Sequence, residues 1–232
     1  MTKHPAAVTP EAQTSDYVDK WWMLRHQAKL DEVKSRRHDI DLLMIGDSIT
    51  QGWEDEESSG SFWQEYFEPR NALNLGFNGD RTEQVLWRLQ NGAIDGLVPK
   101  AIVLLIGTNN TGHRQDLAED TAAGIKAILQ DLQTRLPKTP IVLFAIFPCG
   151  ESTTDPSRRL NADINDMIAN YADGRNVHFL DIGHRFVHDT GQLRTDLIPD
   201  LLHLSPAGYK IWAECMLPLL DELLAEDRSK QS

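Results

Sequence analysis

The sequence is poor in cysteine. Its two cysteines, Cys149 and Cys215, lie far apart, and neither belongs to a CxxC pair or to a His-rich spacing. The spacing therefore predicts neither a disulfide framework nor a cysteine metal site. We expect two reduced, mostly buried thiols, which fits a protein of a reducing compartment.

Basic charge and long apolar runs are also scarce. Lys and Arg number 23 against 35 Asp and Glu, which gives a formal net charge of −12. That charge would be repelled by a nucleic acid duplex or by an anionic membrane, so neither is expected as a partner. The longest apolar run, Ala101–Ile106, is too short to span a bilayer, and residues 1–20 lack the apolar core of a signal peptide. We expect a cytoplasmic protein with a small-molecule substrate.

The length of 232 residues and the 41% hydrophobic content fit one large globular domain. Residues 1–14 are polar and contain Pro5 and Pro10, which predicts a loose, flexible N-terminal arm. A helical pattern begins near Ser15, which could cap that helix, as could Asp16. Residues 15–232 are therefore expected to form a single domain.

Short apolar runs alternate with helical patterns along this domain. The runs are Ile40–Ile45, Ala72–Leu75, Ala101–Ile106, Ile141–Phe147 and Val177–Leu180, and the later helical patterns are Thr82–Asn91, Ala118–Leu136, Ser157–Tyr171 and Pro206–Ala225. Near-continuous apolar runs are typical of strands buried on both faces. The alternation predicts an α/β fold of three layers, a five-stranded parallel sheet with helices on both faces. Pro218 predicts a kink or break in the last helix.

Ligands of such a sheet bind outside the carboxyl ends of its strands. Ser48 stands there, in Gly46-Asp47-Ser48 after the first predicted strand. A serine so placed can be presented on a tight turn into a helix, where backbone N–H groups can stabilise an oxyanion. The alternative is that Asp47 or Ser48 merely caps the helix.

Two further segments follow the second and third predicted strands. In the first, Gly76 and Gly79 either let the backbone approach a ligand or supply a positive φ to a loop, and Asp80 with Glu83 could form a capping box. In the second, the Asn109 amide either donates hydrogen bonds into a site or forms an Asx-turn.

The fourth segment, Asp200–Ser205, precedes the last helix. An Asp three residues ahead of a His can fold back in a turn and accept the proton on Nδ1, which leaves Nε2 to act as a base toward a serine. The alternative is that His203 is a surface residue beside a helix capped by Ser205. His188 and Asp189 could also suggest a catalytic pair, but adjacent residues of an extended segment point apart.

The four segments together favour an enzyme, because a nucleophile, oxyanion donors and a base occur where the fold places a ligand. At these residues the sequence resembles the SGNH (GDSL-type) hydrolase family. The likeness runs from about residue 41 to about residue 209, and its motif residues are Gly46-Asp47-Ser48, Gly79, Asn109 in Gly-Thr-Asn, Asp200 and His203.

Within this family the chain most resembles the catalytic subunits of intracellular platelet-activating factor acetylhydrolase and their bacterial relatives. The stretches that carry this likeness are residues 74–92, 99–100, 107–113 and 202–205. Phe77-Asn78 ahead of Gly79 and the acidic loop Asp55-Glu56-Glu57 depart from the pattern. These departures concern the acyl and leaving-group preferences and not the chemistry.

The resemblance implies a flavodoxin-like SGNH hydrolase fold and a serine esterase. Ser48 is then the nucleophile, His203 its base and Asp200 the partner of His203. The Ser48 and Gly79 N–H groups and the Asn109 amide form the oxyanion hole. The resemblance implies no metal or organic cofactor, and it suggests a homodimer.

Neighbours of the motif residues are expected to line the substrate pocket: Asp47, Ile49, Thr108 and Leu202. Asp47 is also expected to order the nucleophile loop by accepting backbone N–H bonds. The medium size of the other three favours a short acyl group such as acetyl, carried by an acetylated sugar or a lipid-like alcohol. A transacylase would use the same residues, and a non-catalytic interaction protein could keep the same fold.

Overall fold

The computed structural model describes residues 5–14 and 19–225. The strands are β1 Leu42–Gly46, β2 Ala72–Gly76, β3 Ala101–Leu105, β4 Ile141–Phe144 and β5 Val177–Leu180. The helices are α1 Asp19–Arg36, α2 Ser48–Gln51, α3 Glu56–Ser59, α4 Thr82–Arg88, α5 Thr108–His113, α6 Ala118–Arg135, α7 Pro156–Ile168 and α8 Pro206–Ala225. Short 3₁₀ turns cover Ala6–Val8, Gly52–Glu54, Glu68–Arg70, Ala169–Tyr171 and Gly183–Phe186, and π-helical turns cover Trp63–Phe67 and Leu89–Ala93.

All neighbouring strands pair in parallel, in the order β2-β1-β3-β4-β5. This confirms the predicted five-stranded parallel α/β fold, and the order is that of flavodoxin-like sheets. The apolar run after β4 extends to Phe147 because its side chains stay buried after strand pairing ends at Phe144. The carboxyl ends of the strands meet at one edge, where the chain must place a site.

Two apolar layers cover the sheet, which explains why every strand reads as a continuous apolar run. Alternate residues of β1, such as Leu43, pack on one face with α4, α6 and α7, and the others, such as Met44, pack on the other face with α8. Trp53 and Trp212 lie fully buried in the second layer and contact each other. The second layer also contains Ile49, so it packs against the turn that carries Ser48.

Residues 5–14 correct the expectation of a loose arm. Ala7 is 1% exposed, the Thr82 hydroxyl donates to the Ala7 carbonyl at 2.8 Å, and the Glu11 N–H donates to the Glu83 carbonyl at 3.2 Å. A Cβ at Gly124 would lie 2.6 Å from the Ala7 carbonyl, so the glycine lets this segment lie on α6. Hydrogen bonds and the burial of Ala7 together hold the segment. The predicted caps Ser15 and Asp16 lie outside the described residues.

Two predictions about helix ends also differ from the structure. The predicted capping box of Asp80 and Glu83 is wrong: the Arg81 N–H donates to the Gln84 side chain at 3.0 Å, and Asp80 turns inward. Helix α8 continues through Pro218 to Ala225, so Pro218 does not break it. Among the described residues, no helix has the length and apolar character that crossing a membrane requires.

Candidate active site

Ser48, His203 and Asp200 meet at the carboxyl edge of the sheet. The Ser48 Oγ lies 3.0 Å from His203 Nε2, across 155 residues of sequence. The His203 Nδ1 lies 2.7 Å from Asp200 Oδ2. The chain therefore aligns a hydroxyl, an imidazole and a carboxylate, as nucleophilic catalysis requires.

A tight loop before α8 presents His203. Its turn is closed by Asp200, which accepts the Leu202 and His203 N–H groups at 3.0 and 2.6 Å. Leu201 adopts a left-handed conformation with φ of 67°, and its carbonyl accepts the Gly150 N–H at 2.9 Å. Burial raises the pKa of Asp200, but the hydrogen bonds from His203 and Leu202 outweigh it and hold that pKa below its usual value. The carboxylate therefore stays charged beside the imidazole.

Ser48 begins α2 directly after β1. Asp47 caps this helix by accepting the Ile49 N–H at 3.0 Å, as expected of a loop-ordering residue. Gly46 is required here, because a Cβ would lie 2.4 Å from the Leu105 carbonyl. From α8, the Tyr209 hydroxyl donates to the Ile49 carbonyl at 2.7 Å. Ser48 is thus fixed from both sides of its turn.

The three expected oxyanion donors border the same cavity as the Ser48 hydroxyl. Gly79 adopts a φ of 75°, which glycine tolerates without strain. Asn109 is 4% exposed, and its amide nitrogen donates one hydrogen bond to the Asp80 carbonyl at 2.9 Å. An amide nitrogen carries two hydrogens, so this bond fixes the side chain and leaves one donor. The Ser48 N–H opens a helix, where N–H groups have no intrahelical partner.

The cavity over Ser48 has a volume of about 530 Å³. It is lined by Gln13, Thr14, Trp21, Ser48, Asn78, Gly79, Arg81, Asn109, His113, Leu202 and His203. Of the four neighbours of motif residues that were predicted to line the pocket, only Leu202 does so. The cavity thus joins residues from five separate parts of the chain, and it is large enough for an alcohol as well as an acyl group.

Asp47, Ile49 and Thr108 do not border this cavity, which corrects the prediction. Ile49 is 2% exposed and packs into the layer beneath the nucleophile turn. Thr108 is buried at the start of α5, with 5% of its surface exposed. Asp47 points back into its own helix. Sequence neighbours of the motif residues point inward because successive residues of a tight turn project in different directions.

Five cavity residues were not found from the sequence: Gln13, Thr14, Trp21, Asn78 and Arg81. The first three belong to the N-terminal part of the chain, which carries no motif. Asn78 and Arg81 flank Gly79 and Asp80 in the sequence, and this closeness to a motif residue could have identified them. The five residues give the cavity wall two amides, a hydroxyl, an indole and a guanidinium.

His113 also borders the cavity. Burial and then the nearby Arg81 charge lower its pKa below the ordinary value of histidine. The side chain is therefore a neutral imidazole at neutral pH. It adds a polar group and no charge to the mouth of the cavity.

A fully buried ion pair lies behind the loop that carries Gly79. Asp80 accepts the Arg88 Nε–H at 2.8 Å and the Trp22 indole N–H at 2.6 Å, and both charged side chains are 0% exposed. Burial raises the pKa of Asp80 to about 6, against the opposing effect of the Arg88 charge and the two hydrogen bonds. The pair fixes Asp80, whose carbonyl in turn fixes Asn109. Among the described residues, no three His, Cys, Asp or Glu side chains cluster to hold a metal ion.

Comparisons with known proteins show which family the chain is similar to. A family model described as the GDSL-like lipase/acylhydrolase family matches residues 44–211. Platelet-activating factor acetylhydrolase IB subunit alpha2 of Rattus norvegicus is 37% identical over 224 residues, 96% of this chain and 93% of the relative.

Two solved structures share the fold. A GDSL-like lipase from Bacteroides thetaiotaomicron superposes with a TM-score of 0.69 at 19% identity, covering 88% of this chain and 97% of its own. The acetylxylan esterase Axe2 from Geobacillus stearothermophilus superposes with a TM-score of 0.60 at 20% identity, covering 82% and 95%.

Proposed function

Since the chain belongs to the GDSL-like lipase/acylhydrolase family, and is thereby a hydrolase that acts on esters, we propose that it is a serine esterase of short-chain, acetyl esters. Ser48 is its nucleophile. The single observation that carries this proposal is the line of contacts from the Ser48 hydroxyl to His203 at 3.0 Å and from His203 to Asp200 at 2.7 Å.

The first half of the reaction forms an acyl-enzyme. His203 Nε2 takes the hydroxyl proton as the Ser48 Oγ attacks the ester carbonyl. The Asp200 carboxylate accepts a hydrogen bond from the Nδ1–H of His203, which fixes the imidazole tautomer and stabilises the imidazolium. The lowered pKa of Asp200 supports this role, because a charged carboxylate is what the imidazolium needs.

The tetrahedral oxyanion is stabilised by three donors. They are the N–H groups of Ser48 and Gly79 and the side-chain amide of Asn109. The hydrogen bond from Asn109 to the Asp80 carbonyl supports this assignment, since a donor fixed in advance requires no reorganisation during the reaction. His203 then gives its proton to the leaving alcohol. In the second half of the reaction His203 takes a proton from a water molecule that attacks the acyl-enzyme, and it returns this proton to the Ser48 Oγ as the acid leaves.

Two observations support a short acyl group. The relative at 37% identity is an acetylhydrolase and one of the structural neighbours is an acetylxylan esterase. Leu202 borders the cavity directly beside His203, which restricts the space next to the nucleophile. The alcohol then occupies the remaining cavity near Trp21 and Arg81, where a sugar or a lipid-like alcohol would find polar and aromatic contacts.

The proposal is tested by the release of p-nitrophenol from acetyl, butyryl and octanoyl esters by the wild type and by Ser48→Ala. We expect acetyl turnover to be fastest and to vanish in the variant. Equal rates for the two proteins would contradict the assignment of Ser48, and fastest octanoyl turnover would contradict the short acyl group. Analysis of the products in the presence of a sugar alcohol separates hydrolysis from acyl transfer.

A further inference from the structure

Two glutamine side chains hold the loop that carries Gly79, and they reach it from different parts of the chain. The Gln51 side-chain oxygen, from the end of α2, accepts the Asn78 N–H at 2.8 Å. The Gln13 amide nitrogen, from the N-terminal segment, donates to the Gly79 carbonyl at 3.3 Å. Gln51 therefore holds the peptide before the one that contains the Gly79 N–H, and Gln13 holds the peptide after it.

The Gly79 N–H belongs to the peptide between residues 78 and 79. The Asn78 N–H lies in the preceding peptide and the Gly79 carbonyl in the following one, so both neighbouring peptide planes are held. The Asp80 N–H also donates to the Phe77 carbonyl at 3.1 Å, which closes the turn. Glycine has more conformational freedom than any other residue, so the direction of its N–H depends on such external contacts.

We propose that Gln13 and Gln51 are positioning residues that aim the Gly79 N–H at the oxyanion. This inference rests on the proposed function and deepens it. The two glutamines form a clamp, and the clamp makes the N-terminal segment a part of the catalytic unit.

The N-terminal segment is anchored well enough to serve this purpose. Gln13 is 7% exposed, and the segment before it is fixed by the bonds from Thr82 to Ala7 and from Glu11 to Glu83. Thr82 and Glu83 begin α4, which directly follows the Gly79 loop. The segment therefore binds to α4, the helix that directly follows the Gly79 loop. It precedes residues 44–211, which the family model matches.

The clamp can be tested because its two glutamines use different atoms. Gln13 uses its N–H donor, so both Gln13→Glu and Gln13→Met remove the bond. Gln51 uses its oxygen, so Gln51→Glu keeps an acceptor while Gln51→Met does not. We expect kcat for p-nitrophenyl acetate to fall about ten- to a hundredfold in both Gln13 variants, with KM within about twofold, because a displaced donor weakens transition-state binding alone. Gln51→Glu is expected to retain more activity than Gln51→Met.

Gln130→Glu is the matched control, since Gln130 is exposed on α6 and does not border the cavity. It should keep the wild-type kcat, and all variants should keep the wild-type thermal midpoint within a few degrees. A role of Gln13 as a mere cavity wall predicts instead that KM rises and varies with the alcohol of the ester. Such a result, or a wild-type kcat in both Gln13 variants, would overturn the clamp.

The Gly79 amide itself gives a readout that does not depend on turnover. We expect its hydrogen exchange, followed by NMR, to be faster in Gln13→Met than in the wild type, because the clamp restrains the loop. A wild type without esterase activity would contradict the proposed function. Equal hydrogen exchange at Gly79 in Gln13→Met and in the wild type would contradict the clamp. The two failures are therefore distinguishable.

Discussion

The Asp200 carboxylate holds His203 through both of its oxygens. Oδ1 accepts the backbone N–H of His203 at 2.6 Å, and Oδ2 lies 2.7 Å from the ring Nδ1. One side chain thus closes the turn that carries the imidazole and also orients the imidazole. The spacing of three residues makes this possible, because a carboxylate that caps a turn reaches the N–H three residues ahead.

Asp200→Asn separates these two roles. The amide oxygen can still accept the backbone N–H, but the amide nitrogen offers a donor to Nδ1 and favours the wrong tautomer of His203. We expect kcat for p-nitrophenyl acetate to fall about a hundred- to ten-thousandfold. Steady-state kinetics checks the result, and Asp196→Asn is the control, because Asp196 lies in the same loop and its exposed carboxylate pairs with Arg194. Wild-type kcat in Asp200→Asn would show that the carboxylate is not needed.

The parts of the fold that the sequence predicted are those fixed by burial. Strands buried on both faces must read as apolar runs, and five such runs became five parallel strands. Ser48, Gly79 and Asn109 each follow a strand directly, so their meeting at one sheet edge follows from topology alone. His203 required only that one loop reach that edge.

The walls of the cavity could not be predicted in the same way. Which neighbour of a motif residue faces a cavity depends on the direction of single side chains, and Ile49, directly after Ser48, packs into the apolar layer instead. The N-terminal segment is held by polar contacts such as that from Thr82 to Ala7. A polar, proline-containing sequence predicts a loose arm as long as the hydrogen-bond partners of its residues are unknown.

Asn109→Ala tests the third oxyanion donor. Removing one such donor costs about a hundred- to a thousandfold in rate, and we expect kcat to fall by that factor with little change in KM. The alanine also frees the Asp80 carbonyl, so the thermal midpoint must be measured beside the kinetics. Asn170→Ala is the control, since that exposed side chain donates to the Asp166 and Met167 carbonyls at the surface. A fall in midpoint without a fall in kcat would assign Asn109 a structural role alone.

Arg88→Met tests the buried ion pair. It leaves Asp80 without its charged partner in a site that is 0% exposed, and we expect a loss of about 3–5 kcal/mol in the free energy of unfolding, read from urea denaturation. Arg70→Met removes a partner of the more exposed Asp221 and should cost at most about 1 kcal/mol. Similar losses in the two variants would mean that the pair contributes no more than a surface contact.

Asp47 should give the protein a characteristic dependence of stability on pH. Burial raises its pKa from 3.8 to about 7; the Ile49 N–H opposes this rise and the nearby Asp80 carboxylate adds to it. Between these two pKa values the folded chain binds a proton that the unfolded chain has lost. The free energy of unfolding therefore falls as the pH rises from about 4 to about 7, and this contribution is constant above that range.

Asp47→Asn isolates the effect, because the asparagine oxygen can still cap α2 but the side chain does not titrate. The thermal midpoint of the variant relative to the wild type should rise between about pH 5 and about pH 8. Asp173→Asn is the control: the N–H of Val177 and those of its neighbours lower the Asp173 pKa to about 2, so its stabilising charge is lost only in stronger acid. Its difference from the wild type should be the same at both pH values. If the difference for Asp47→Asn were equally constant, Asp47 would be charged throughout, and its buried charge would have to be balanced within the nucleophile turn.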